Sequence, residues 1–122
     1  MAVKKILIID DDEDIQVTAG SLLTHEGFEV HGAETVERGI EMIDEVHPDI
    51  VLLDIMFPEK KTRGFEAAGE IKALHPDLPI IALTAINRQY NFDFAKADIQ
   101  ADEFVNKPVN TDRLVELIRR HT

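Results

Sequence analysis

Residues 5–15 read KILIIDDDEDI, a short apolar run that stops at a block of acids. A run of isoleucine and leucine without polar alternation is typical of a strand buried on both faces of a sheet. The later acids of the block suit the start of a helix, because aspartate caps helix N-termini and negative charge favours the positive end of the helix dipole. This stretch therefore predicts a buried strand that leads directly into a helix.

The same strand and helix unit recurs along the chain five times. The predicted strands are Lys5–Ile9, Phe28–Gly32, Ile50–Asp54, Pro79–Thr84 and Glu103–Val105. Four of the intervening segments carry one apolar helical stripe each, formed by Ile15, Ala19, Leu22 and Leu23; by Val36, Ile40 and Ile43; by Ala67, Ala68, Ile71 and Leu74; and by Leu114, Leu117 and Ile118. This alternation predicts an α/β fold of the flavodoxin-like, doubly wound (βα)5 type. Its five-stranded parallel sheet has the order 2-1-3-4-5, with helices on both faces.

Turn and capping residues agree with these boundaries. Thr35 and Asn110 stand where helix N-caps are expected, and Gly27 stands where a helix ends. Two tetrads of the same type, HPDI at 47–50 and HPDL at 75–78, place a proline that stops a helix before an aspartate that starts a turn. We interpret their histidines as helix-end residues favoured by the dipole rather than as metal ligands.

Composition excludes several classes of function. The 122 residues contain 13 Lys and Arg against 24 Asp and Glu, a formal charge of −11 that opposes binding to nucleic acid and anionic membranes. The absence of cysteine excludes disulfides and thiolate chemistry, and suits a reducing cytoplasm. The apolar run Ile6–Ile9 is too short for a signal peptide or a membrane span. We expect a single cytoplasmic domain over residues 1–122.

Polar residues collect at the carboxyl ends of the predicted strands, where ligands bind in sheets of this type. Asp10 and Asp11 repel each other unless a divalent cation lies between them, and Asp54 ends a buried strand where a carboxylate needs a partner. Thr84 and Lys107 follow the next two strands. Each also has an ordinary explanation: the acids as a solvated capping run, Asp54 as a turn cap, and the other two as surface residues.

Taken together, these residues suit phosphoryl transfer, in which a protein mainly positions groups and neutralises charge. A hard cation such as Mg²⁺ binds carboxylate oxygens and leaves a place for a phosphoryl oxygen. Lys107 offers a positive charge and Thr84 a hydrogen bond to the other oxygens. Asp54 is an oxygen nucleophile that would form an aspartyl phosphate.

The sequence at these positions resembles the receiver domain of response regulators in two-component signal transduction, and is similar to single-domain chemotaxis regulators. The likeness covers the entire chain. It is carried by KILIIDDDEDI at 5–15, PDIVLLDIM at 48–56, PIIALTA at 79–85 and FVNKP at 104–108. The resemblance implies a phosphorylation-activated switch, not an enzyme, that assists its own phosphorylation and dephosphorylation.

The resemblance also implies roles for individual residues. Asp54 becomes the phosphoacceptor, and Asp10 and Asp11 hold Mg²⁺ together with Asp54 and the backbone carbonyl of Met56. Thr84 and Lys107 become the pair that contacts the phosphoryl group, Phe104 the aromatic switch, and Lys107-Pro108 a cis peptide. The implied donor is a phosphohistidine on a sensor histidine kinase or phosphotransfer protein, or a small acyl phosphate. The implied output is a downstream effector.

Three departures from the family pattern affect its details. The loop Glu59–Arg63 is about two residues longer than usual, and Gln100-Ala101-Asp102 replaces the usual Gly-Ala-Asp. The predicted helix Arg88–Ile99 carries Tyr90, Phe92 and Phe94, more rings than one buried stripe can hide. Either this segment packs irregularly and buries its rings, or some aromatic surface stays exposed. We expect an exposed aromatic face that binds a partner or a second copy after phosphorylation, on the surface formed with the fifth strand and the last helix.

Two further positions bear on the lifetime of the phosphorylated state. In the family, the attack of water on the aspartyl phosphate depends partly on the residues two after the phosphoacceptor and two after the threonine. These are Met56 and Ile86 here, and neither side chain can orient a water by hydrogen bonding. The sequence therefore predicts slow self-dephosphorylation.

Alternatives from other classes are weaker. A Mg²⁺-dependent hydrolase with an aspartyl nucleophile, similar to haloacid-dehalogenase-like phosphatases, needs a second aspartate at the position of Met56. A nucleotide or flavin module needs a glycine-rich loop where the chain has acids at 10–14. A degenerate receiver that serves only as an interaction domain would not keep all five site residues, Asp10, Asp11, Asp54, Thr84 and Lys107.

Overall fold

The computed structural model describes residues 3–54, 63–85, 101–107 and 110–122. Its strands are β1 (Lys5–Ile9), β2 (Glu29–Ala33), β3 (Ile50–Asp54), β4 (Ile80–Ala85) and β5 (Glu103–Lys107). All pair in parallel, in the order β2-β1-β3-β4-β5, which confirms the predicted sheet. The described helices are α1 (Glu13–His25), α2 (Val36–Val46), α3 (Arg63–Leu74) and α4 (Thr111–His121). The predicted helix Arg88–Ile99 lies outside the described residues.

The sheet separates two apolar clusters because successive side chains of a strand point to opposite faces. From β1, Leu7 and Ile9 join the cluster beneath α2 and α3, whereas Ile6 and Ile8 join the cluster beneath α1 and α4. The four side chains are fully buried. Strand β1 is apolar throughout because it lies inside the sheet, with helices on both faces.

Three strands differ from the prediction in where they begin or end, and both β2 and β4 end one residue later than predicted, at Ala33 and Ala85. Strand β2 starts one residue later because the Phe28 N–H donates to Leu23 O at the end of α1 (3.0 Å), and Gly27 before it adopts a φ of 98°. Strand β4 starts after Pro79, which has no N–H to donate. Strand β5 extends two residues further, to Lys107, and pairs with the end of β4.

Most helix ends are confirmed. The side chains of Thr35 and Asn110 accept hydrogen bonds from backbone N–H groups of the first turns of α2 and α4. His47 ends α2 in the left-handed conformation (φ 55°), and Asp49 then accepts a hydrogen bond from Lys5 N (2.7 Å). The predicted apolar stripe of α3 was wrong at Leu74, which is 62% exposed. As the last residue of the helix, it lies outside the apolar cluster that Ala67, Ala68 and Ile71 join.

Candidate functional site

Three carboxylates meet at the carboxyl ends of two neighbouring strands. Ile9 lies opposite Leu53 in the pairing of β1 with β3, so Asp10 and Asp54 come next on adjacent strands. Asp10, Asp11 and Asp54 each offer an oxygen, and these oxygens all lie within 4.8 Å of one another. Within the described ranges, this is the one group of three or more acids or histidines close enough to share a metal ion. The sequence prediction that these acids converge is therefore correct.

The burial and chemistry of this group suit a hard cation. Asp10 is 0% exposed and Asp54 is 3% exposed, so two of the three carboxylates lie in the interior. Negative charges this close repel one another, and burial strengthens the repulsion. All the donors are carboxylate oxygens, which Mg²⁺ and Ca²⁺ prefer over nitrogen or sulfur ligands. The residues present thus fit the cation that the sequence implied.

The acid block divides into two parts, as predicted. Asp12 is the N-cap of α1, and its side chain accepts from Asp14 N (2.9 Å). Asp10 belongs to the site instead. Its N–H donates to Ala33 O (3.0 Å) at the end of β2, and its Oδ1 accepts from Asp12 N (2.9 Å). The carboxylate of Asp10 is therefore oriented by both the sheet edge and the helix start.

Sequence analysis missed Gln16, which contacts the same sheet edge from α1. Its Nε2 lies 3.1 Å from Ile8 O, 3.0 Å from Asp10 O and 3.1 Å from Ala33 O. A glutamine on the second turn of a helix gives no signal by itself. The available clue was Gly32 in a predicted strand, since a glycine there often marks a close approach of another group.

The remaining candidates are located by backbone position. In the pairing of β3, β4 and β5, Asp54 lies opposite Leu83, Thr84 follows Leu83, and Lys107 lies opposite Ala85. Thr84 and Lys107 therefore reach the same edge of the sheet as Asp54. Met56, Ile86 and Pro108 lie outside the described residues, as do the loop positions 59–62 and the aromatic segment, whereas Arg63 begins α3.

Phe104 lies in β5 opposite Ala82. It is half-buried and packs against the apolar cluster beneath α2 and α3. An aromatic side chain in this position connects the outermost strand, β5, to the core.

The two histidine tetrads lie at the other edge. They line a cavity of about 490 Å³ between the ends of α2 and α3, where His75 Nε2 is 3.5 Å from Asp44 Oδ1. In the part of the chain that the structure describes, neither tetrad contributes to a group of three candidate metal ligands. Among the described residues, acids close enough to share a metal ion thus occur at the carboxyl edge.

Comparison with known proteins agrees with this geometry. A family model described as "Response regulator receiver domain" matches residues 6–119. The nitrogen assimilation regulatory protein NtrX of Azorhizobium caulinodans is 32% identical over 117 residues, which cover 94% of this chain and 25% of NtrX. The chain thus spans about a quarter of the length of this relative.

Solved structures agree as well. A CheY-like receiver domain protein from Methanospirillum hungatei JF-1 is 32% identical with a TM-score of 0.84, and the match covers 98% of this chain and 93% of that one. The receiver domain of NtrX from Brucella abortus is 30% identical, also with a TM-score of 0.84, and the match covers 95% and 96% of the two chains.

The chain belongs to the response regulator receiver domain family. It is therefore a phosphorylation-activated switch of two-component signalling, in a family whose members are generally phosphoacceptors, and the hydrolase alternative is not favoured. None of the described helices is both long and apolar enough to cross a membrane.

Proposed function

We propose that Asp54 accepts a phosphoryl group from the phosphohistidine of a sensor histidine kinase or phosphotransfer protein, in a reaction that requires Mg²⁺. The observation that supports this most directly is the group of three carboxylates at the ends of β1 and β3, two of them buried. A group of like charges that costs stability at the ends of two apolar strands is expected where function requires it.

Each residue of the site has a defined task in this reaction, and Asp54 has two. A carboxylate oxygen of Asp54 attacks phosphorus, the P–N bond of the donor breaks, and its electron pair returns to the imidazole. Asp10, Asp11 and Asp54 hold the cation, with the carbonyl of Met56 as a further ligand. When bound, Mg²⁺ supplies positive charge to the phosphoryl oxygens. Thr84 donates a hydrogen bond to one of those oxygens, and Lys107 pairs with another.

The phosphorylated state is then read at a surface of the chain. Phe104 acts as the aromatic switch; in support, it lies on the outermost strand, β5, and packs against the core. The output surface consists of residues 88–99, β5 and α4, and it binds an effector or a second copy of the chain. The domain spans residues 1–122, works in the cytoplasm and acts as a phosphoacceptor that assists its own phosphorylation and dephosphorylation without being an enzyme.

Intact-mass spectrometry tests this proposal. Wild-type protein incubated with Mg²⁺ and a small acyl phosphate should gain one phosphoryl group, and Asp54→Asn should gain none because the nucleophile is gone. Asp44→Asn, which removes an exposed carboxylate near the other edge of the sheet, is the matched control and should be phosphorylated normally. An adduct that persists in Asp54→Asn would contradict the assignment.

A further inference from the structure

We infer that Gln16 is a positioning residue for the metal site. Gly32, which has no side chain, leaves space for the Gln16 amide. This role rests on the proposed binding of Mg²⁺ by Asp10, Asp11 and Asp54. Gln16 itself touches neither the cation nor the phosphoryl group. It acts through the backbone of Asp10.

The contacts of Gln16 bridge three elements. Its side chain starts on α1 and ends with Nε2 close to the carbonyl oxygens of Ile8 and Asp10, around the end of β1, and of Ala33, at the end of β2. Three carbonyl oxygens around one atom fix the orientation of the amide, because an amide oxygen in that place would be repelled by all three. The two N–H groups thus provide donors where the β1 and β2 ladder ends.

One of these bonds holds the backbone carbonyl of Asp10. The Asp10 N–H is bound by Ala33 O, its Oδ1 by Asp12 N, and its carbonyl by Gln16. Ala33 O accepts from both Asp10 N and Gln16 Nε2, so one carbonyl links the two donors. With both sides of its backbone held, Asp10 keeps its carboxylate directed toward Asp11 and Asp54, which lowers the cost of assembling the cation site.

Gly32 leaves the room that this arrangement requires. A Cβ at position 32 would overlap Gln16 Oε1 and lie 3.0 Å from Gln16 Cδ. Both atoms belong to the flexible end of a side chain, so an alanine at position 32 would displace the amide more readily than the strand. Gly32→Ala therefore moves the Gln16 amide off the three carbonyls while leaving residue 16 unchanged.

Magnesium titrations followed by NMR of the Asp11 and Asp12 amides test this role. Gln16→Met keeps the length of the side chain and removes both donors. It should weaken Mg²⁺ binding by about 3- to 10-fold, less than the loss typical of residues that hydrogen-bond the ligating group itself, because the bond from Gln16 goes to the Asp10 carbonyl. Gly32→Ala should weaken binding in the same direction. In a Gln16→Ala background, Gly32→Ala should have no further effect, because the group that it displaces is absent.

Lys72→Met is the control, because it removes hydrogen bonds to Leu78 O and Asp102 Oδ2 at the opposite edge. It should lower stability in urea without changing Mg²⁺ affinity. Unchanged affinity in both Gln16→Met and Gly32→Ala, with normal binding by wild type, would overturn the role of Gln16 alone. The role of Gln16 would also be overturned if Lys72→Met weakened Mg²⁺ binding as much as Gln16→Met does. A wild-type chain that binds no Mg²⁺ would overturn the proposed metal site and the role of Gln16 together.

Discussion

The two edges of the sheet use carboxylates in opposite ways. At the carboxyl edge, Asp10, Asp11 and Asp54 are gathered within 4.8 Å of one another. At the amino edge, Asp49 and Asp102 are matched with donors. Asp49 accepts from Lys5 N, and Asp102 accepts from Ile80 N and from Lys72 Nζ, all at 2.7 to 2.8 Å.

This difference shows which edge is built for stability and which for binding. The amino edge joins strand starts and the end of α3 through charge-assisted hydrogen bonds, which are stronger than neutral ones. The carboxyl edge concentrates like charges and is held in place by a neutral amide, that of Gln16. A lysine or arginine at position 16 would compete with a metal ion for the acids, because it carries a positive charge. The neutral amide of Gln16 instead supports the backbone of Asp10 without neutralising the carboxylates.

Breaking the link at Lys72 should have the largest effect on stability. Lys72 Nζ is 2.8 Å from Leu78 O and from Asp102 Oδ2, and its side chain is only 18% exposed. Lys72→Met should therefore lower the free energy of unfolding by about 1.5 kcal/mol, the low end for hydrogen bonds to charged groups, because the Asp102 side chain is 36% exposed and solvent weakens the pair. Urea denaturation with and without Mg²⁺ would measure it, and we expect the same loss in both conditions.

Arg38→Met provides the matched control for that measurement. Arg38 pairs with Glu41 and Glu45 on the exposed face of α2, where ion pairs contribute roughly 0 to 1 kcal/mol. Its loss should be clearly smaller than that of Lys72→Met. Equal losses would mean that the amino edge has no special role in stability.

Magnesium should stabilise the carboxyl edge by a smaller amount. A cation that relieves the repulsion of three acids binds the folded state preferentially, which adds about 1 kcal/mol at a concentration roughly five times its dissociation constant. Asp11→Ala should reduce this gain, because it removes a ligand. Without Mg²⁺ it should not destabilise the protein, because it also removes a like charge.

Thermal melts of both proteins with Mg²⁺ or with a chelator would decide the matter. Equal melting temperatures for wild type in the two conditions would contradict a metal site. A large loss for Asp11→Ala in the chelator would instead assign Asp11 a structural role, as at the amino edge.

The sequence predicted the sheet because its signals are local. The apolar run of β1, the repeated strand and helix units, and the caps at Thr35 and Asn110 each depend on neighbouring residues, and each is confirmed. The convergence of Asp10, Asp11 and Asp54 was also predictable, because parallel strands with a known order bring their carboxyl ends to one edge.

Contacts between distant residues were not predictable in the same way. The pairing of Lys72 with Asp102 spans 30 positions, and the contact of Gln16 with Ala33 spans 17. Both depend on the packing of a helix against strand ends, which no local pattern encodes. The exposure of Leu74 has the same origin, because periodicity gives the face of a residue on a helix and not how far the sheet extends beneath it.

The pH dependence of the Asp102 link should be the smallest of these effects. Burial alone would raise the pKa of Asp102, but the hydrogen bonds from Lys72 and from Ile80 N outweigh it and hold the pKa below its ordinary value of 3.8. A carboxyl whose pKa is lower in the folded state adds stability above its unfolded pKa and loses it as the pH falls through the folded one. Wild type should therefore be more stable than Asp102→Asn at pH 7 and at pH 5, and the difference should shrink below about pH 3.8.

Urea denaturation across this range would measure this difference in stability. The control is Asp77→Asn, which removes an exposed carboxylate near the same edge. A difference that stays constant down to pH 3 would show that position 102 stabilises the fold by shape rather than by charge. The contrast between the two edges would then rest on Asp49 and on the bond from Lys72 to Leu78 O.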